Sequence, residues 1–87
     1  MPNRNELPYP KVEIYWKDIN SSDDTWISNS NIENHDVAYC KDIAYLYSQD
    51  DIKVITFSSY SYHDDGSFDV NNLVAYPRGC IERIEKI

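Results

Sequence analysis

The sequence predicts an all-β domain, a small barrel of about five short strands, on three observations. Residues 43–47 and 52–62 are rich in β-branched and aromatic side chains and flank the polar stretch Ser48-Gln49-Asp50-Asp51, the pattern of a β-hairpin. Val12, Ile14 and Trp16 alternate with Glu13, Tyr15 and Lys17, the period-2 signature of a strand with one face buried. Pro77-Arg78-Gly79-Cys80 interrupts the chain before its last apolar segment, as a tight turn or one turn of 3₁₀ helix, because Pro77 cannot donate in a ladder and Gly79 tolerates positive φ.

Composition supports one domain. Eighty-seven residues leave no room for a second core, and 41% apolar with 14% aromatic residues is too rich in core formers for disorder. Eight Lys and Arg against 15 Asp and Glu give a net charge of −7. That balance argues against direct binding of a nucleic-acid backbone, which needs a basic patch. It suits either a plain solubility margin or an acidic surface that occupies a basic groove on a partner. The start, residues 1–6, has no apolar run behind its charge and no stretch is long enough for a membrane span, so a cytoplasmic protein is expected. In that compartment Cys40 and Cys80 read as small buried hydrophobes, and no zinc site is completed around them.

Taken in order, residues 1–10 carry prolines at 2, 8 and 10 among polar companions and predict a flexible arm, leaving 11–87 as the folded barrel. The first strand ends at Asp18. Residues 19–36 show no sustained period and predict a long loop, in which Trp26 and Ile27 tuck back onto the barrel mouth and Asp23 and Asp24 stay in water. A turn of helix near 31–35 would have Ser30 as its cap and Glu33 three residues on. The next strand starts at Val37 and runs on, bent, into Tyr45 and Tyr47. If Ala38, Cys40, Ala44 and Leu46 face the core, Asp42 falls on the same face, which predicts a bulge near Lys41-Asp42. The hairpin's second strand, 52–62, is apolar on both faces, as in a covered central strand. Asp65-Gly66 predicts the tip of a turn, 70–76 the strand returning from it, and 80–87 a closing strand beside the first, although Ile81, Ile84 and Ile87 are also spaced for a helix. Five strands, a long first loop and a 3₁₀ turn before the last strand describe the SH3-like kind of barrel.

The frame Val12-Glu13-Ile14-Tyr15-Trp16-Lys17-Asp18, Trp26, Cys40-Lys41-Asp42-Ile43-Ala44-Tyr45-Leu46 and Tyr76-Pro77-Arg78-Gly79-Cys80-Ile81-Glu82-Arg83-Ile84 resembles a family of small uncharacterised bacteriophage and prophage proteins. Its members carry a first strand ending Trp-x-Asp, a Trp in the following loop, a Cys-x-[Ser/Thr]-[Val/Ile]-Gly strand and a closing Ile-Pro-x-x-x-Ile-x-x-Ile. The chain departs from that pattern at Asp42, Ala44 and Tyr76, positions that touch packing and turn geometry. The resemblance implies a phage origin and no established activity.

The residues offer little for catalysis. His35-Asp36 and His63-Asp64-Asp65 could serve a metal only if two loops converged, and loop composition alone explains them. A Cys-His nucleophile from Cys40 or Cys80 with His63 is undercut by the apolar setting of both thiols. No phosphate-cradling loop is available with only Gly66 and Gly79. No enzyme activity, metal or cofactor is therefore expected.

Aromatic residues are the more informative group. Trp16 points inward by its alternation with Ile14, whereas Trp26, Tyr45, Tyr47, Tyr60 and Tyr62 can line a groove for a peptide or a base. With Asp23, Asp24, Asp64 and Asp65 they make the expected binding residues of a non-enzymatic phage accessory protein. Such a protein would bind a host or phage macromolecule, most simply a protein, through an acidic, tyrosine-rich surface, one version being an inhibitor of a host system. Charge reversal of Asp23, Asp24, Asp50, Asp51, Asp64, Asp65 and Asp69 tests the version that imitates DNA. The alternative is a homo-oligomer that sequesters a nucleotide-like ligand between subunits, for which Lys41, Lys53, Arg78 and Arg83 are the available cations. A metal-dependent enzyme built on the His-Asp pairs is a third reading.

Overall fold

The computed structural model describes residues 7–23 and 26–87. Seven strands form two antiparallel sheets: β1 (Lys11–Asp18), β2 (Ala38–Gln49), β3 (Lys53–Phe57), β6 (Val74–Pro77) and β7 (Ile81–Lys86) in one, β4 (Ser59–Tyr62) and β5 (Phe68–Asn71) in the other. The larger sheet runs in the order β6-β3-β2-β1-β7, with β6 and β7 at its ends and no ladder between them among the described residues. A turn of 3₁₀ helix, Arg78–Cys80, stands between β6 and β7 where the Pro-Arg-Gly-Cys sequence predicts it.

Alternation along β1 decides the core. Val12 and Ile14 are fully buried and pack with Val54 of β3 and Tyr76 of β6, and Trp16, Leu46, Ile81 and Ile84 lie against them. The sheet is strongly curled: Trp16 and Tyr76 sit on strands separated by two others, about 14 Å apart in a flat sheet, yet their rings meet edge to face at 5.5 Å. β2 makes the bend. Its first half pairs β1 in unbroken register from Asp18↔Ala38 to Lys11↔Tyr45, and its second half pairs β3 with a bulge between Leu46 and Ser48. The bulge expected at Lys41-Asp42 is therefore five residues further on. Asp42 keeps its place on the inner face because the Tyr76 hydroxyl donates a 2.6 Å hydrogen bond to its Oδ2.

Two expected strands are each broken in two. The run 52–62 splits at Ser58, which leaves the β3 ladder and donates its N–H to the Asn71 carbonyl, so that β4 joins β5 instead. The run 70–76 splits at Asn72, whose φ of 56° is a left-handed turn conformation that Asn tolerates and a strand does not. Gly66, with φ of 90°, forms the predicted tip of the β4-β5 hairpin. The helical turn is α1 (Asn29–Ile32), two residues earlier than expected, and no side chain caps it; Ser28 and Ser30 bond to each other instead.

Order begins before Lys11. Most of the expected arm, 1–6, lies outside the described residues, but in 7–10 the Pro10 carbonyl accepts from the Leu46 N–H and the Tyr9 ring packs on Tyr47, Phe57 and Phe68 at 5.0–6.0 Å. A Tyr9→Ala variant is expected to lose about 1–2 kcal/mol from those ring contacts. Thermal denaturation would read this as a fall in Tm of about 4–8 °C per kcal/mol, whereas a free arm would leave Tm unmoved.

Candidate functional site

The expected binding residues divide between two places at opposite ends of β2. Tyr45, Tyr47, Tyr60 and Tyr62 do come together, but around Phe57 rather than around a groove. Phe57 is 1% exposed, and Tyr45 stacks on it at 5.5 Å with Tyr60, Tyr47 and Phe68 at its edges. Tyr62 lies at the group's margin, 6.2 Å from Tyr60 and opposite Phe68 in the β4-β5 ladder. The cluster is a second small core that fastens the β4-β5 sheet to the larger one. Tyr47 and Tyr62 keep an exposed side, Tyr45 and Tyr60 much less of one.

Trp26 is elsewhere. It belongs to the loop joining β1 to β2, beyond the Asp18↔Ala38 end of their ladder, an end that is itself about seven residues, roughly 23 Å of strand, from Tyr45. The loop's neck is held by Asn20, whose side-chain amide donates to the Asp36 carbonyl (3.0 Å) and whose own carbonyl accepts from His35 Nε2 (2.6 Å). Beyond that neck the loop does not fold back on the sheet as expected. Trp26 is 91% exposed, Ile32 58% and Ile27 46%, and with Ser28, Asn31 and His35 they line an open hollow of about 860 Å³. The physical reason is a lack of anything to tuck against: α1 buries no residue, and the sheet's inner face is already filled by Trp16, Ile81 and Ile84.

The acidic residues are scattered likewise. Asp23 is exposed in the same loop; Asp24 lies outside the described residues. Asp64 and Asp65 are at the hairpin tip, and Asp65 serves the turn, its Oδ1 accepting from the Ser67 N–H (3.0 Å) and hydroxyl (2.6 Å), which hold its pKa below the usual value. Asp50 plays the same part in the β2-β3 turn: the N–H groups of Lys53 and Ile52 donate to its carboxylate at 2.8 Å and lower its pKa.

The cations are engaged too. Tyr15, on the outer face of β1, lies between its cross-strand partners Lys41 and Arg83, with the Arg83 guanidinium 3.7 Å above its ring. Lys41 pairs with Glu13 (3.2 Å) and Arg83 with Glu85 (2.9 Å). Hydrogen bonds from Tyr15 and then Lys41 lower the Glu13 pKa, and the bond to Glu13 raises that of Lys41. Arg78 donates to Gln49 at 2.9 Å. Arg78 and Arg83, with Lys86, line one hollow of about 290 Å³, whereas Lys41 is turned to Glu13 and does not line it. His63 pairs with Asp69 at 3.0 Å, and no group of three His, Cys, Asp or Glu positioned for a metal occurs among the described residues. Cys40 and Cys80 are free thiols, both half-buried.

What sequence reasoning missed is the Asp42–Tyr76 pair. Burial, and then the bond to Asp42, push the Tyr76 phenol up to about 12. The Thr56 hydroxyl, close enough to oppose part of that rise, is itself buried with no hydrogen bond by distance and angle. The signal was an acidic residue on a core-facing register position.

No helix among the described residues is long and apolar enough to cross a membrane. No protein family, curated protein or solved structure matches the chain.

Proposed function

We propose that the chain is a non-enzymatic binding protein that docks a protein partner through the loop carrying Trp26, a phage accessory protein of the kind its motif frame resembles, acting in the host cytoplasm. The observation that carries the reading is Trp26 at 91% exposure beside Ile32 and Ile27. An indole held in water by a loop with a tied neck is a ready anchor for an interface, where buried Trp contributes more than almost any other residue. Charge indicates what the partner presents. Between Asp18 and Val37 the sequence has five acidic residues, at 18, 23, 24, 33 and 36, and no Lys or Arg. An apolar pocket rimmed by Lys and Arg fits this loop, and inhibition of a host system by covering such a pocket is one form the reading takes.

An SH3-like barrel is the architecture we propose with it. The sheet order with the first strand between the second and the last, and the 3₁₀ turn before the last strand, support this, with β4-β5 as an inserted hairpin. In that arrangement the Trp26 loop is the long first loop of the barrel.

Comparison of captured partners before and after Trp26→Ala tests the proposal. The variant is expected to weaken partner binding by about 2 kcal/mol or more, a factor of about 30, with Tm unchanged because Trp26 is outside both cores. Binding is expected to weaken further as salt is raised. Equal capture by the variant, or capture lost instead through Tyr47 and Tyr62, would remove the loop as the docking site.

A further inference from the structure

The first half of β2 has only one neighbour. β3 begins its pairing at Tyr45, so among the described residues the backbone of 38–44 is bonded to β1 alone, and every second N–H and C=O along that stretch points away from the sheet. On the side where β3 has turned away there is a cleft of about 430 Å³ between β2 and the ends of β3 and β6, lined by Asp42, Ala44, Thr56, Ser58 and Tyr76 among others. Asp42, Thr56 and Tyr76 meet at it, and the one cation in its lining, Lys41, directs its ammonium to Glu13 at 3.2 Å. Asp42 has one carboxylate oxygen fixed by Tyr76, and among the described residues no ion pair forms to it. Thr56, 1% exposed, has its hydroxyl beside the Tyr76 phenol and no hydrogen bond of good geometry among the described residues.

We infer that this edge and cleft are a second binding site, independent of the Trp26 loop, for an extended segment of a protein partner carrying a lysine or arginine opposite Asp42. The segment adds as a strand to 38–44, which supplies its backbone bonds. A residue directly opposite Asp42 in such a ladder points to the same face, with its Cβ about 5 Å away. Its cationic head then reaches the Asp42 carboxylate and the Thr56 hydroxyl, and the face of the Tyr76 ring borders the same space. Of the outward-pointing positions beside that residue, one faces Ile43 and the other Lys41, which is paired with Glu13, and Tyr39 lies beyond Lys41; aliphatic or aromatic residues suit the places facing the exposed Ile43 and Tyr39, and a second cation opposite Lys41 does not.

A second copy of the chain fits less well. Paired edge to edge about a two-fold axis, this stretch sets inward residues against inward residues, and those are Ala38, Cys40, Asp42 and Ala44. None is a cation, so self-pairing leaves Asp42 unneutralised. The net charge of −7 adds a general repulsion between copies and an attraction for basic segments.

Selection from a random heptapeptide display library on the intact protein is the test, run in parallel on wild type, Asp42→Asn and Thr56→Val. Wild type is expected to enrich Lys or Arg at one fixed position with apolar residues beside it. Asp42→Asn, in which Tyr76 still has an acceptor, is expected to bind the selected peptides at least about tenfold more weakly. Thr56→Val, which keeps the side chain's shape, is expected to weaken them less. Amide chemical-shift changes on adding a selected peptide should fall on 38–44 and leave 26–32 unmoved. Absence of positional enrichment, the same enrichment with Asp42→Asn, or shifts confined to the Trp26 loop would each overturn the inference. So would concentration-dependent dimers in sedimentation that perturb 38–44, which would make the occupant a second copy.

Discussion

Replacing Phe57 by alanine is expected to remove about a quarter or more of the protein's stability. The ring is 1% exposed and within 5.5–6.5 Å of Tyr9, Tyr45, Tyr47, Tyr60 and Phe68, which come from the N-terminal segment and three strands. Truncating a buried Phe costs about 3–5 kcal/mol from lost burial and the cavity left behind. A domain of this length has about 4–13 kcal/mol in total. Urea denaturation should show a lower midpoint with little change in slope, and Phe57→Leu should recover most of the loss. The β4-β5 sheet should respond first, because its anchorage to the larger sheet runs through this ring. A loss below about 1 kcal/mol, the range of surface substitutions and weak contacts, would mean that the tyrosines form a surface stack rather than a core. The tyrosine-rich binding surface expected from the sequence would then regain its standing.

That cluster shows how far the sequence could be read. Val12, Ile14 and Trp16 announce their strand and its buried face without help, because alternation is local and the core lies on one side. β2, its turn and the 3₁₀ segment follow from equally local patterns, whereas β7 beside β1 follows only from the all-β setting, since Ile81, Ile84 and Ile87 are spaced for a helix as well. The division of 52–62 and of 70–76 was not legible in the same way. Ser58 and Asn72 are acceptable in a strand, and only the alternative pairing of β4 with β5, which gives Phe57 its cover, makes them breaks. For the candidate site the difficulty is similar. Exposure of Trp26 is a property of what surrounds it: the same residue type at position 16 is half-buried, and nothing in the loop's composition states that the sheet has no vacancy for a second indole. Asp42 was legible as an anomaly but not as a pair, since its partner is 34 residues away.

The Asp42–Tyr76 bond gives the second large effect, and its pH dependence has a definite sign. Tyr76→Phe keeps the ring, and with it the edge-to-face contact to Trp16 at 5.5 Å, while removing the one donor to the Asp42 carboxylate found among the described residues. Hydrogen bonds to charged groups contribute about 1.5–3 kcal/mol, and a half-buried carboxylate left without its donor keeps the desolvation cost, so a loss in that range is expected at neutral pH. The wild-type phenol has its pKa raised from 10.0 to about 12 in the folded state. The unfolded chain therefore gives up this proton first, and the stabilisation, complete below pH 10, falls as pH rises through 10 towards 12. Phenylalanine has no proton to lose at that position. The stability gap between wild type and Tyr76→Phe should accordingly be widest below pH 10 and close between 10 and 12. Every other group is common to the two proteins and cancels in the difference. Denaturant midpoints of the two proteins at a series of pH values measure it. A gap that stays constant up to pH 12 would show that the phenol ionises as freely in the folded protein as in the unfolded chain. A fixed carboxylate at the mouth of the β2 cleft, the feature that selects a basic strand, would then lose its support.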